Sequence, residues 1–269
     1  MRKNPPLLVV HAALYFALFP IPVITLFWKD HIGMSLADIM VLQAVFGVAV
    51  ILFEFPSGYL ADRVGHRLSL AVGASLWLGG CLAYLPASSF AAVAAAEIAL
   101  GAGRAFISGA DRALLWASLD TSGRRGQYRR WDGRLRAAGQ ASEAVSAAAG
   151  GWLYSIAPRL PFWFQVPTAA LALASVLALR PPPASRTAPA ASHGRRILDI
   201  VRLTLWRHRR LQAAMALSVA LGLSSYVMVW LIQPYLQSRG VPTAWFGPFW
   251  AGANAWLVAV SLASARIVE

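Results

Sequence analysis

Eight runs of about 20 predominantly apolar residues, separated by short polar links, restrict this chain more than any other feature. A helix needs roughly 20 apolar residues to cross the hydrocarbon core of a bilayer. Lipid admits only structures that satisfy their backbone N–H and C=O groups internally. The runs fall at 7–28, 39–60, 68–87, 90–113, 134–156, 162–180, 211–236 and 245–266. Hydrophobic residues make up 58% of the chain and charged residues 13%, against roughly a quarter charged in a soluble domain. The expected fold is therefore all-α, a polytopic membrane helix bundle. The first run follows Met1-Arg2-Lys3 but is too long for a signal peptide, and no small-x-small cleavage site comes after it. Pro20 and Pro22 should kink that run, which neighbouring helices can tolerate.

The formal charge of +13 could suit nucleic acid, but the arginines do not spread over one soluble face. They gather in alternate links: Arg2 and Lys3; Arg63 and Arg67; the cluster from Arg124 to Arg136; and the series from Arg180 to Arg210. The intervening links carry only Lys29, Arg159 and Arg239. Basic links stay in the cytoplasm, which places the amino terminus inside a cell membrane and leaves no nucleic-acid partner. Cys81 lies inside an apolar run, so neither a disulfide framework nor a cysteine metal site is expected. The five histidines lack metal spacing, and no nucleophile motif or phosphate-binding glycine loop occurs. No catalytic residue, metal or cofactor is expected, and the chain does not read as an enzyme.

The link 181–210 opens with Pro181-Pro182-Pro183 and continues as a flexible Ser/Thr/Ala/Pro stretch. It then places Ile197, Val201 and Leu205 at helical spacing opposite several arginines. Such a segment suits either an anionic inner leaflet or a solvated connector helix.

Between the second and third runs stands Gly58-Tyr59-Leu60-Ala61-Asp62-Arg63-Val64-Gly65-His66-Arg67. It resembles the loop after the second helix in the major facilitator superfamily of secondary transporters, G-x-L-A-D-R-x-G-R/K-K/R, with His66 at a usually basic position. That resemblance implies two six-helix halves joined by a cytosolic link. Residues 1–180 would form the amino-terminal half, 181–210 the linker, and 211–269 the first two helices of the second half. A fragment lacking four helices is the expectation. The resemblance further implies that Gly58, Asp62, Arg63, Gly65 and Arg67 form an inner gate. The function implied is a permease moving a small solute by alternating access, coupled to protons; the alternative is a truncated, transport-inactive membrane protein or scaffold.

Ionisable residues at membrane depth are costly and usually face a cavity or a partner. In the fourth run Glu97, Gly101, Ala105 and Gly109 recur every fourth residue, with Arg104, Ser108 and Asp111 on or near that face. The fifth run repeats the device with Gly139, Glu143, Ala147 and Gly151. Such small-residue stripes favour close helix packing. Arg104 and Glu143 fall at similar depth on neighbouring helices and are expected to pair. Glu97, Arg104, Glu143 and Asp111 are thus the proton and substrate candidates. In one reading Glu97 or Glu143 carries a proton while Arg104 holds an anionic group or resets the carboxylate. In the other the charges form a fixed structural bracket.

The stretch from Ala105 to Ala117 also resembles one branch of the superfamily, A-F-x-S-G-x-x-[DE]-A-L-x-Y-D, departing at Arg112, Trp116 and Ala117. The proline-containing glycine motif of drug–proton antiporters is missing from the fifth run. In the second run Gln43, Gly47, Ile51, Glu54 and Gly58 share a face, and Glu54 could pair with the arginines of the link. His11, Tyr15, Tyr226, Trp230, Gln233, Trp250 and Asn254 are candidate pocket residues.

Overall fold

The computed structural model describes residues 1–181 and 209–267. The linker's basic amphipathic segment, with Ile197, Val201 and Leu205, lies outside them. The described residues form helices and their connections: α1 (Asn4–Tyr15), α2 (Ile24–Leu26), α3 (Leu36–Val64), α4 (His66–Tyr84), α5 (Phe90–Ile107), α6 (Ala110–Thr121), α7 (Tyr128–Ile156), α8 (Leu160–Leu177), α9 (Arg209–Ser238) and α10 (Phe246–Ile267).

The first expected span is interrupted rather than kinked. α1 ends at Tyr15, and the chain resumes helical form at Ile24 before a π-turn over Phe27–His31. Pro20 and Pro22 in the gap lack N–H donors, so an uninterrupted ladder cannot form. Side chains replace part of it: Phe19 N donates to Gln165 Oε1 (3.1 Å), and Thr25 N to Gln233 Oε1 (2.9 Å). Gln233 Nε2 donates in turn to Ile21 O (2.9 Å).

The second and third spans meet more abruptly than expected. α3 begins in a capping box, where Ser35 Oγ accepts from Asp38 N (3.1 Å) and Asp38 Oδ2 accepts from Ser35 N (2.9 Å). It continues through Gly58, Asp62 and Arg63 to Val64, so Gly65 alone separates it from α4. Gly65 has φ 107°, a conformation open to glycine and strained for other residues. The fourth expected span, 90–113, runs on to Thr121 but breaks at Ser108–Gly109, where Gly109 adopts φ 79°.

Among the described residues five helices are long and apolar enough to cross a membrane: Leu36–Val64, His66–Tyr84, Phe90–Thr121 taken across its break, Leu160–Leu177 and Leu211–Ser238. The interrupted first segment, arginine-rich α7 and α10 pack alongside: α1 against α7 and α8, and α10 against α7. α5 is the inner element, in contact with both α3 and α4. The outward faces carry apolar side chains, Ile51 at 70% exposure and Val145 at 73%, as a lipid-facing surface requires.

Glycines set the closest crossings. A Cβ on Gly103 would stand 2.8 Å from Gly73 O, and one on Gly73 would stand 2.8 Å from Gly103 O. This is where α4 and α5 touch. On α7, Gly150 lies against the backbone of Phe19, and Gly151 against Gly247 at the start of α10. Close approach of this kind substitutes van der Waals packing for the hydrophobic effect inside lipid.

Two buried clusters occupy the ends of the bundle. Leu8, Leu70, Leu114, Leu119 and Val176 fill the end nearest Gly65. Phe27, Trp28, Ile39, Leu42, Tyr84 and Phe162 fill the other. At the first end Asn4 of α1 joins α6 to the chain leaving α8: Nδ2 donates to Ser118 Oγ (2.9 Å) and Arg180 O (2.8 Å), while Oδ1 accepts from Arg180 N (3.0 Å).

Candidate functional site

Between the two clusters lies a cavity of about 340 Å³. The gap after α1 forms one wall with Leu18, Pro20 and Ile21, and α4 forms another with Trp77, Cys81 and Tyr84. α5 contributes Glu97, Leu100 and Arg104, while α3, α8 and α9 supply Gln43, Phe46, Phe162, Gln165, Tyr226 and Trp230. The proline interruption is thus what opens the interior, because a continuous first helix would fill the space with its own backbone.

Glu97 sits at one end of this cavity, only 5% exposed. Tyr84 Oη donates to Glu97 Oε1, and Trp28 Nε1 donates to Tyr84 Oη at 3.2 Å. A buried carboxyl held in this way avoids the cost of an unsatisfied polar group. Seven residues further along α5, almost two full turns, Arg104 faces the same cavity. Its side chain is exposed and interacts with the Tyr15 hydroxyl of α1. Opposite, Tyr226 Oη donates to Gln43 Oε1 at 3.2 Å, and Trp28 stacks obliquely on Trp230 with centroids 5.5 Å apart.

The expected Arg104–Glu143 pair is not formed. Arg104 takes part in no ion pair among the described residues, and Glu143 Oε1 instead accepts from Trp250 Nε1 of α10 at 3.2 Å. Similar depth does not make two side chains meet, because each helix's rotation about its axis also matters. Of the four proton and substrate candidates, Glu97 and Arg104 line the cavity, whereas Glu143 and Asp111 lie off its wall. Asp111 occupies the first turn of α6, where its Oδ1 accepts from Arg112 N at 2.7 Å.

Gly58, Asp62 and His66 border a second cavity of about 250 Å³, together with Glu54 and the Ser108–Gly109 break. Arg63 lies over the Tyr59 ring at 5.2 Å, and Arg67 Nη2 donates to Leu177 O at 2.7 Å. Gly58 has open space where a Cβ would go. Among the described residues no cluster of three His, Cys, Asp or Glu side chains could hold a metal ion.

Tyr226 and Trp230 line the main cavity, as their sequence context suggests. His11 is instead buried against Ala172 O (3.2 Å), Gln233 ties down the interrupted first helix, and Tyr15 packs on Trp77 at 4.7 Å. Trp250 serves Glu143, and Asn254 lies off the cavity. Sequence reasoning missed Trp28, Tyr84 and Gln165. The available signal was a tyrosine ending one apolar run and a glutamate beginning the next, close enough to meet across a helical hairpin.

A helical membrane bundle with a largely apolar cavity that holds Glu97 and Arg104, and an interrupted helix beside it, defines a multi-pass membrane protein with an internal chamber. Residues 7–269 match the family model described as Major Facilitator Superfamily, and the chain belongs to that superfamily. No curated protein matches it. It is similar to the crystal structure of a mutant of the nucleoside transporter NupG, with TM-score 0.72 and 14% identity, over 88% of this chain and 59% of that chain. At that identity the likeness concerns the fold, and this chain spans little more than half the neighbour's length.

Proposed function

We propose that the chain acts in a permease of the cytoplasmic membrane that moves a small solute by alternating access, with Glu97 carrying the coupling proton. No covalent chemistry is involved. The observation that carries this reading is the mid-bundle cavity with a buried, hydrogen-bonded carboxyl in its wall. A carboxyl that meets solvent on one side and loses it on the other can exchange a proton with each compartment in turn. Tyr84 would hold Glu97 in place, and Trp28 would hold Tyr84. Residues 1–180 would act as one half of the carrier and 211–269 as the opening of a second. The amino terminus and basic links would lie in the cytoplasm. Gly58, Asp62, Arg63, Gly65 and Arg67 would form the inner gate, with Arg67 anchored on the end of α8. Glu143 and Asp111 would have supporting roles in helix packing.

The test uses the full chain in proteoliposomes. Glu97→Gln is expected to abolish solute accumulation driven by a pH gradient while leaving solute exchange at equal pH within about threefold of wild type. Undiminished gradient-driven accumulation in Glu97→Gln would remove the proton role.

A further inference from the structure

The cavity has an unequal charge arrangement. Its carboxyl, Glu97, is buried and already engaged by Tyr84, whereas its guanidinium, Arg104, is exposed and without an ion-pair partner among the described residues. The two lie on one face of α5, about 10.5 Å apart along its axis at 1.5 Å per residue. Glu97 is already engaged by Tyr84, so an entering cation finds no free carboxylate in the lining and is repelled by a guanidinium held by the neutral Tyr15 hydroxyl. An entering anion finds a fork of N–H donors suited to a carboxylate.

The remaining lining is flat and apolar. Phe46 and Trp77 present rings on the chamber wall, and Tyr226 and Trp230 add theirs toward the Glu97 end, where Trp230 packs on Trp28. Aromatic faces prefer offset or edge-on contact with another ring. The volume of about 340 Å³ stands at the small end of ligand pockets, enough for one or two fused rings.

Resting on the permease reading, we propose that the solute is a planar aromatic monocarboxylate. Its carboxylate is held by Arg104, and its ring system lies between Trp77 and the aromatic side chains of α3 and α9. Glu97 stands away from the anionic group, at the other end of the chamber.

The experiment places the 269-residue chain in phosphatidylcholine nanodiscs and titrates three probes sharing one ring system: 2-naphthoate, 2-naphthamide and 2-naphthylmethylamine. Heats are corrected against empty discs. The expected result is that naphthoate binds at least tenfold more tightly than the other two. Arg104→Gln should erase that advantage, leaving naphthamide affinity within twofold of wild type, and Arg104→Lys should keep part of it. Equal or tighter binding of the amide or amine to the wild-type protein overturns the proposal, as does absence of binding by all three. A naphthoate preference that survives in Arg104→Gln also overturns it. The wild-type comparison stands even if a variant fails to fold. Naphthoate counterflow in proteoliposomes separates the two readings. Selective binding without counterflow sinks the permease and leaves the anion site, while counterflow of the amine alone sinks the anion site and leaves the permease.

Discussion

Arg159 closes the end of the bundle remote from Gly65. Its guanidinium donates to Leu85 O and to Ala87 O (3.1 Å), and Nε lies 3.3 Å from His31 Nε2. One side chain thereby satisfies the carbonyls that follow α4 and ties them to α8 and the π-turn after α2. Hydrogen bonds with a charged partner contribute about 1.5–3 kcal/mol. Arg159→Ala is expected to destabilise the protein by about that amount, read as a lower midpoint of thermal unfolding in detergent; Arg159→Lys should recover part of it. Sequence reading treated this arginine only as a weak topological signal, because its acceptors are backbone carbonyls from a loop 72 and 74 residues away and have no side-chain signature.

Among the elements, α5 and α3 show how differently two helical glycines can behave. Gly103 faces the backbone of α4, so a Cβ there would meet Gly73 O at 2.8 Å and Trp77 N at 2.9 Å. Gly47 on α3 has nothing within 4 Å of the same position. Gly103→Ala should cost about 1–3 kcal/mol through overpacking. Gly47→Ala should be neutral or stabilise by up to about 1 kcal/mol, because alanine loses less backbone entropy in a helix. Thermal unfolding of the two variants side by side checks the opposite signs. The stripe Glu97, Gly101, Ala105 and Gly109 was legible as a packing face, and Gly101 does meet Phe46 O of α3. Gly109 was not legible as a break, since its four-residue spacing fits an uninterrupted helix, whereas it adopts φ 79°. The proline gap after α1 was foreshadowed by Pro20 and Pro22; that it would open a chamber depended on how α3, α8 and α9 gather around it.

At the scale of the molecule, hydropathy and the Gly58–Arg67 motif disclosed the bundle and its superfamily, because helix length and apolar content follow directly from lipid thickness. Side-chain partnerships were less accessible: Arg104 and Glu143 match in depth but face different neighbours, whereas Tyr84 and Glu97 meet through a hairpin whose register is set by residues 85–89. The proposed orientation of the bundle rests on its basic links and can be checked directly. In a Cys81→Ala background, Ser238→Cys should react with an impermeant maleimide in intact cells, and Arg129→Cys only after permeabilisation. The reverse pattern would invert the proposed topology.

The interruption at Ser108–Gly109 divides one membrane pass into two levers that share a pivot. The α5 lever carries Glu97 and Arg104, while the α6 lever is linked to α7 through Arg112 and Asp132 at 3.3 Å. A swing about Gly109 would carry the α6–α7 pair past the Gly58–His66 region without dragging the cavity-lining charges along, so the chamber's charge geometry could stay constant while its exit is remodelled.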